Sequence, residues 1–237
     1  MDFIFMLTRG DKTIEDCLEL FEEIRPLGLK HVGFKDVGVP PATLHKLTAA
    51  IKASGATTYM EVVSETAEAA LNSARVGREL GVDRLLGGTQ VAEVQSVIAG
   101  TATQYFPFSG KPVGHPTKLG GSPADVEAHC RAFMAAGCAG SDLLAYRATE
   151  ADPLDLIRAA RKGLGGGTLI VAGSVGSAAR IREVKQAGAD AFTIGSAVFD
   201  GSYAPRMGSI RSQLRAVLED IRAAWPISTA LPVRDDS

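Results

Sequence analysis

The chain has only three cysteines, Cys17, Cys130 and Cys138, at no spacing that suits a metal cluster or a disulfide framework. They read as small buried hydrophobes in a reducing compartment. No apolar run approaches the length of a membrane span, so a membrane-embedded protein is not expected. An excess of one charge is missing too: 25 Lys+Arg stand against 27 Asp+Glu, which argues against nucleic acid or an anionic surface as a partner. Ahead of Phe3-Ile4-Phe5-Met6-Leu7 stands Asp2 and no basic segment. That run does not read as a signal peptide, and a cytoplasmic location is expected. No Pro/Gly/Ser-rich linker interrupts the 237 residues, a length that suits one α/β barrel. Residues 1–237 are therefore expected to form a single domain.

What is present is alternation. Short apolar runs at Phe3–Thr8, His31–Lys35, Thr57–Val63, Asp83–Gly87, Gln104–Phe108, Ser141–Tyr146, Thr168–Ala172 and Asp190–Ile194 read as strands. Helical stripes separate them: Ile14, Cys17, Leu18, Phe21 and Ile24 with Thr13 as a cap, then Leu44, Leu47 and Ile51, and finally Ile210, Leu214, Val217, Leu218 and Ile221. The stretch Ser109–Pro116 reads as the longest irregular segment. Eight strand–helix units predict an α/β fold with a closed parallel eight-stranded sheet, a (β/α)8 or TIM barrel. An open doubly wound sheet is the other arrangement compatible with the pattern.

In such a barrel, ligands are held at the C-terminal ends of the strands. The seventh strand runs into Ala172-Gly173-Ser174-Val175-Gly176 and the eighth into Ile194-Gly195-Ser196-Ala197-Val198-Phe199. Glycine lets several backbone N–H groups approach one anion, and Ser174 and Ser196 add hydroxyl donors. A turn starting near Ala197 would present further unpaired N–H groups. Gly173, Ser174, Gly195 and Ser196 are thus the candidate phosphate-binding residues, and a small phosphorylated substrate is the expected partner.

The runs Val171-Ala172-Gly173-Ser174 and Gly188-Ala189-Asp190-Ala191-Phe192-Thr193-Ile194-Gly195-Ser196-Ala197 resemble those of the phosphate-binding (β/α)8 barrels. These include ribulose-phosphate epimerase, the histidine and tryptophan biosynthesis barrels and the phosphosugar decarboxylases. The resemblance implies the barrel and the phosphate site. With Phe34-Lys35-Asp36-Val37-Gly38 and Leu86-Gly87-Gly88-Thr89, the whole chain is similar to little-characterised bacterial barrels, some labelled hydroxythreonine-phosphate dehydrogenase. A nicotinamide site is not expected, because no Gly-x-Gly-x-x-Gly follows the first strand and Gly163-Leu164-Gly165-Gly166-Gly167 precedes a strand instead of opening a helix.

The candidate catalysts are Lys35, Asp36, Glu61, His115, Tyr146 and Arg147. Lys35 and Asp36 end the second strand, where neighbouring side chains point to opposite faces. The lysine suits an electrophile or a Schiff-base amine, the aspartate a proton shuttle. Glu61 interrupts an apolar strand, which is costly unless it is paired, and Lys35 on the next strand is its expected partner. His115 lies in the long loop after the fifth strand, where it could close over a site and transfer protons. Tyr146 and Arg147 end the sixth strand, and Arg147 suits a carboxylate or phosphate. Asp142 reads as structural. Arg9 and Thr89 are rim positions. No metal-ligand spacing appears and no cofactor is predicted, though Asp36 and Glu61 could share a divalent cation if their strands converge. The expected chemistry is proton abstraction next to a carbonyl of a phosphorylated sugar or keto acid, as in isomerases, epimerases and aldolase-type lyases. The alternatives are a non-catalytic phosphometabolite binder, or the dehydrogenase of the label. A homodimer is compatible with the sequence.

Overall fold

The computed structural model describes residues 1–62, 66–114 and 117–224. Eight parallel strands form the centre: β1 (Asp2–Met6), β2 (His31–Lys35), β3 (Thr57–Val62), β4 (Arg84–Gly87), β5 (Gln104–Phe106), β6 (Gly140–Leu143), β7 (Thr168–Val171) and β8 (Ala191–Ile194). Their order around the sheet is β6-β7-β8-β1-β2-β3-β4-β5. The two ends meet through a parallel bridge between Phe108 and Asp142, with Ala139 N–H donating to Tyr105 O and Asp142 N–H to Pro107 O, each at 3.0 Å. The sheet therefore closes as a barrel.

Helices α1 (Cys17–Ile24), α2 (Pro41–Ala53), α3 (Ala67–Leu80), α4 (Val91–Ile98), α5 (Pro123–Ala135), α6 (Pro153–Leu164) and α7 (Ala178–Gln186) follow the first seven strands. A short α8 (Ser196–Phe199) and the longer α9 (Ile210–Ala224) follow β8. Side chains alternate across each strand, so the apolar residues divide into two cores. A large one lies between strands and helices, and a small one, with Ile4, Met6, Tyr59, Leu86, Phe106, Ile170 and Ala191, fills the barrel. At its N-terminal end Tyr59 Oη accepts from Arg84 at 2.6 Å and bonds His31 Nδ1 at 3.0 Å. The cavity described below lies at the opposite end.

Three local expectations are revised. The sixth strand stops at Leu143, and Ala145–Arg147 forms a 3₁₀ turn, so Tyr146 and Arg147 lie beyond the strand and do not end it. The segment after β5 is not wholly irregular: Lys111–Val113 pairs with Lys118–Gly120 as a hairpin. Thr13 caps no helix. It ends a second hairpin, Thr8–Arg9 with Lys12–Thr13, that lies over the end of β2.

The buried Thr13 hydroxyl donates to Lys35 O at 2.7 Å and accepts from Lys35 N–H at 2.9 Å. Gly38 lets the two segments close up, since a Cβ there would stand 2.3 Å from Thr13 O. Thr13→Val keeps the shape and removes both bonds, so it is expected to cost about 1–3 kcal/mol in denaturant unfolding. Unchanged stability would mean that the clamp does not matter.

Candidate active site

A cavity of about 570 Å³ opens at the C-terminal ends of the strands. Its chemistry has two parts, one made of backbone and one of charged side chains.

The backbone part comes from the loops after β7 and β8. Gly173, Ser174, Gly195 and Ser196 all line the cavity. The N–H groups of Gly173, Ser174, Val175, Gly176, Ser196 and Ala197 find no acceptor among the described residues. Unspent donors around one concavity suit an anion. The backbone is bent to present them: φ is 76° at Gly173 and 60° at Ser174, a strained value for a residue with a side chain. Gly195 is required by crowding, because a Cβ would sit 2.9 Å from Thr8 O and 3.1 Å from Met6 O. With only four residues, α8 contributes amides and no sizeable dipole. Arg180, on the first turn of α7, adds a guanidinium to the lining and donates to Ser174 O.

The side-chain part is an ion-pair network deeper in the barrel. Register pairs Lys35 with Glu61 and Glu61 with Leu86, which turns all three inward. Lys35 Nζ lies 3.4 Å from Glu61 Oε1 and 2.7 Å from Asp11 Oδ1. Lys35 is 3% and Glu61 7% exposed, so the pair is nearly stripped of water yet borders the cavity. Asp11 arrives on the turn of the Thr8–Thr13 hairpin, in a left-handed conformation with φ 59°. Arg147 Nη2 approaches the same Asp11 oxygen at 3.5 Å. Burial alone would raise the Asp11 pKa, but Lys35 and then Arg147 outweigh it and hold the carboxyl below its ordinary value.

The residues named from the sequence separate accordingly. Lys35, Glu61 and Arg147 share the cavity with the two glycine-serine loops. Asp36 does not join them. Its carboxylate accepts from Ser73 on α3, on the outer face of the sheet, as strand alternation requires of the neighbour of an inward lysine. Burial raises its pKa, against the pull of the Ser73 bond. Asp36 and Glu61 thus lie on opposite faces and cannot share a cation. Among the described residues no group of three or more His, Cys, Asp or Glu is placed to hold a metal ion. Tyr146 also turns away: its hydroxyl donates to Glu183 on α7 at 3.0 Å and Arg180 lies 4.6 Å from its ring centre. Burial and then the Glu183 contact raise its pKa. Arg9 and Thr89 are exposed and do not line the cavity. His115, and Val63 at the end of the expected third strand, lie outside the described residues.

Asp11, Arg180 and Asp200 line the cavity and were not singled out from the sequence, and Asp142 was read there as structural. For Asp142 a signal existed, the same one that marked Glu61, a carboxylate inside an apolar run. Asp11 and Arg180 carried none, as an acidic residue in a turn and a basic residue on a helix are ordinary.

No protein-family model matches the chain, and no curated protein sequence matches it. Solved structures do. The native KDPGal structure aligns with a TM-score of 0.67 at 13% identity, over 94% of this chain and 96% of that one. Orotidine 5'-phosphate decarboxylase from Pyrococcus horikoshii OT3 aligns at 0.63 and 11% identity, over 93% and 99%. The fold is a TIM barrel. Thiamine phosphate pyrophosphorylase from Pyrococcus furiosus aligns less closely, at 0.57 with 11% identity, over 94% and 96%. Identities this low speak for the TIM-barrel fold alone, a scaffold on which many chemistries are grafted. Among the described residues no helix is long and apolar enough to cross a membrane.

Proposed function

We propose that the chain is an enzyme acting on a small phosphorylated metabolite, a sugar or a keto acid, by removing a proton next to its carbonyl. The observation that carries this reading is one cavity with unspent amides at one side and the buried Lys35–Glu61 pair at the other. The phosphate is held by the amides after β7 and β8, with Arg180 beside them. That contact fixes the substrate without taking part in the chemistry. Glu61 is the base. Lys35 lends its charge to the oxygen that becomes an enolate, and preorganised charge is worth most where water is excluded. Asp11 holds Lys35 in place, and Arg147 approaches the same Asp11 oxygen. Asp36, aimed at α3, takes no part.

Isomerase, epimerase and lyase chemistry share this first step. The names of two neighbours, orotidine 5'-phosphate decarboxylase and thiamine phosphate pyrophosphorylase, agree with a phosphorylated ligand. Proton NMR in deuterium oxide tests the proposal with a panel of phosphorylated ketoses and keto acids. Loss of the signal from the carbon next to the carbonyl is expected for at least one compound. If several compounds bind and none exchanges, the protein is a binder and not an enzyme, and binding then survives Lys35→Ala and Glu61→Ala together. A borohydride-trapped adduct at Lys35 would assign a Schiff-base aldolase within the same class.

Gly195→Ala probes the phosphate side separately. The added methyl meets backbone at 2.9 Å, and the Ser196 and Ala197 amides must shift. Affinity for inorganic phosphate, read by calorimetry, is expected to fall on the order of tenfold, about 1.4 kcal/mol. Unchanged affinity would remove the loop after β8 from the proposed site.

A further inference from the structure

A barrel interior is a costly place for a lone carboxyl. Asp142 lies on β6 in register with Phe108 and Ile170, and is 0% exposed. Neither of its side-chain oxygens reaches a hydrogen-bond partner among the described residues. Its backbone closes the barrel seam, with N–H to Pro107 O at 3.0 Å and Ser109 N–H to its own carbonyl at 3.3 Å, which most residue types would do equally well. Its register partner Ile170 belongs to the apolar inner core, so an apolar side chain would suit the position without electrostatic cost. A buried polar group without a partner calls for a reason, and service to a reaction is one. The charged groups that act on it are those of the site: Glu61 from β3, Lys35 from β2 and Arg147 from the turn after β6.

We propose that Asp142 is an uncharged acid and a positioning residue for this site: by staying neutral it leaves Lys35 enough positive charge to stabilise an enolate. This rests on the functional reading given above. Lys35 already faces two carboxylates, Asp11 at 2.7 Å and Glu61 at 3.4 Å. A third negative charge in the same dry interior would cancel what the lysine lends to the substrate. Burial first, and Glu61 second, push the Asp142 carboxyl well above the ordinary aspartate range. Lys35, Arg147 and the nearby Leu143 N–H pull the other way without reversing this. Asp142 transfers no proton during turnover. Glu61 takes the substrate's proton, and Asp142 keeps its own.

Carbon-13 NMR of carboxyl-labelled protein, assigned with Asp142→Asn, reads the wild-type group directly. A protonated Asp142 signal at neutral pH is expected, and an ionised one overturns the proposal. The pH profile of substrate deuterium exchange is the second measurement. The wild-type rate is expected to fall about tenfold as Asp142 ionises at high pH, and Asp142→Asn to lack that fall. Superimposable profiles overturn the proposal, since a purely structural role moves no inflection. Where no compound exchanges at all, the functional reading fails on its own. The charge coupling is then read from the Asp11 and Glu61 carboxyl signals. A second step in their titrations where Asp142 ionises, absent in Asp142→Asn, retains the coupling, and its absence overturns it.

Discussion

Glu61→Gln is expected to abolish proton exchange on the substrate while leaving the phosphate grip intact. The amide keeps the size and most of the shape of the carboxylate but cannot accept a proton at useful strength. General-base removal of this kind lowers rates by on the order of 10²–10⁴-fold. The amide cradle after β7 and β8 is built from other elements, so affinity for inorganic phosphate is expected to stay within about twofold of the wild type, well under the 1.4 kcal/mol that makes a tenfold change. The pattern to look for is a collapse of kcat without a matching change in ligand affinity. Exchange that persists within a factor of ten would transfer the role of base to another group, with Asp11 first in line because it is the other carboxylate against Lys35.

Lys35→Met is expected to be the most damaging substitution for stability. It leaves Glu61, 7% exposed, and Asp11 as two acids facing each other without their common cation. Removing one partner of a buried pair typically costs about 3–5 kcal/mol, because the charge left behind has lost its water and gained nothing. Two consequences separate this from lost packing. Lys35→Met combined with Glu61→Gln is expected to be less damaging than the sum of the two, since the double variant strands one charge fewer. The acid limb of stability should also flatten. Lys35 and Arg147 hold the Asp11 carboxyl below its ordinary value, so in the wild type this contribution is present above the unfolded aspartate range and lost as pH falls through the folded value. Denaturant unfolding across that range measures both effects. A cost below about 1 kcal/mol, typical of a solvated surface pair, would mean that the network is open to water and unsuited to its proposed task.

The fold was largely legible along the chain because each unit carries a local signal. Apolar runs of strand length and helical stripes recur in sequence order, whereas closure rests on the seam between Phe108 and Asp142. Where local reading went astray, a longer-range contact had intervened. Thr13 looked like a helix cap, but the end of β2 offered it two backbone bonds. Tyr146 looked like part of a strand, but the chain turns after Leu143 and sends it to Glu183 on α7. Asp36 and Lys35 are neighbours of similar promise on paper. Strand alternation admits only one to the interior, and the sequence does not say which.

By itself the sequence determined the eightfold strand–helix repeat and the glycine-serine tips after β7 and β8, and it pointed to Lys35 as the partner of Glu61. Each of these depends on residues close in the chain or on the period-two rule of a strand. Tertiary structure alone decided the rest of the site. Asp11 reaches Lys35 only because a hairpin folds back over β2, and Arg147 meets Asp11 across 136 positions of sequence. Asp142 comes under the influence of Glu61 and Lys35 only once β6 has met β5 and the ring has closed. Charge interactions depend on distance through space and on the exclusion of water, and barrel closure fixes both.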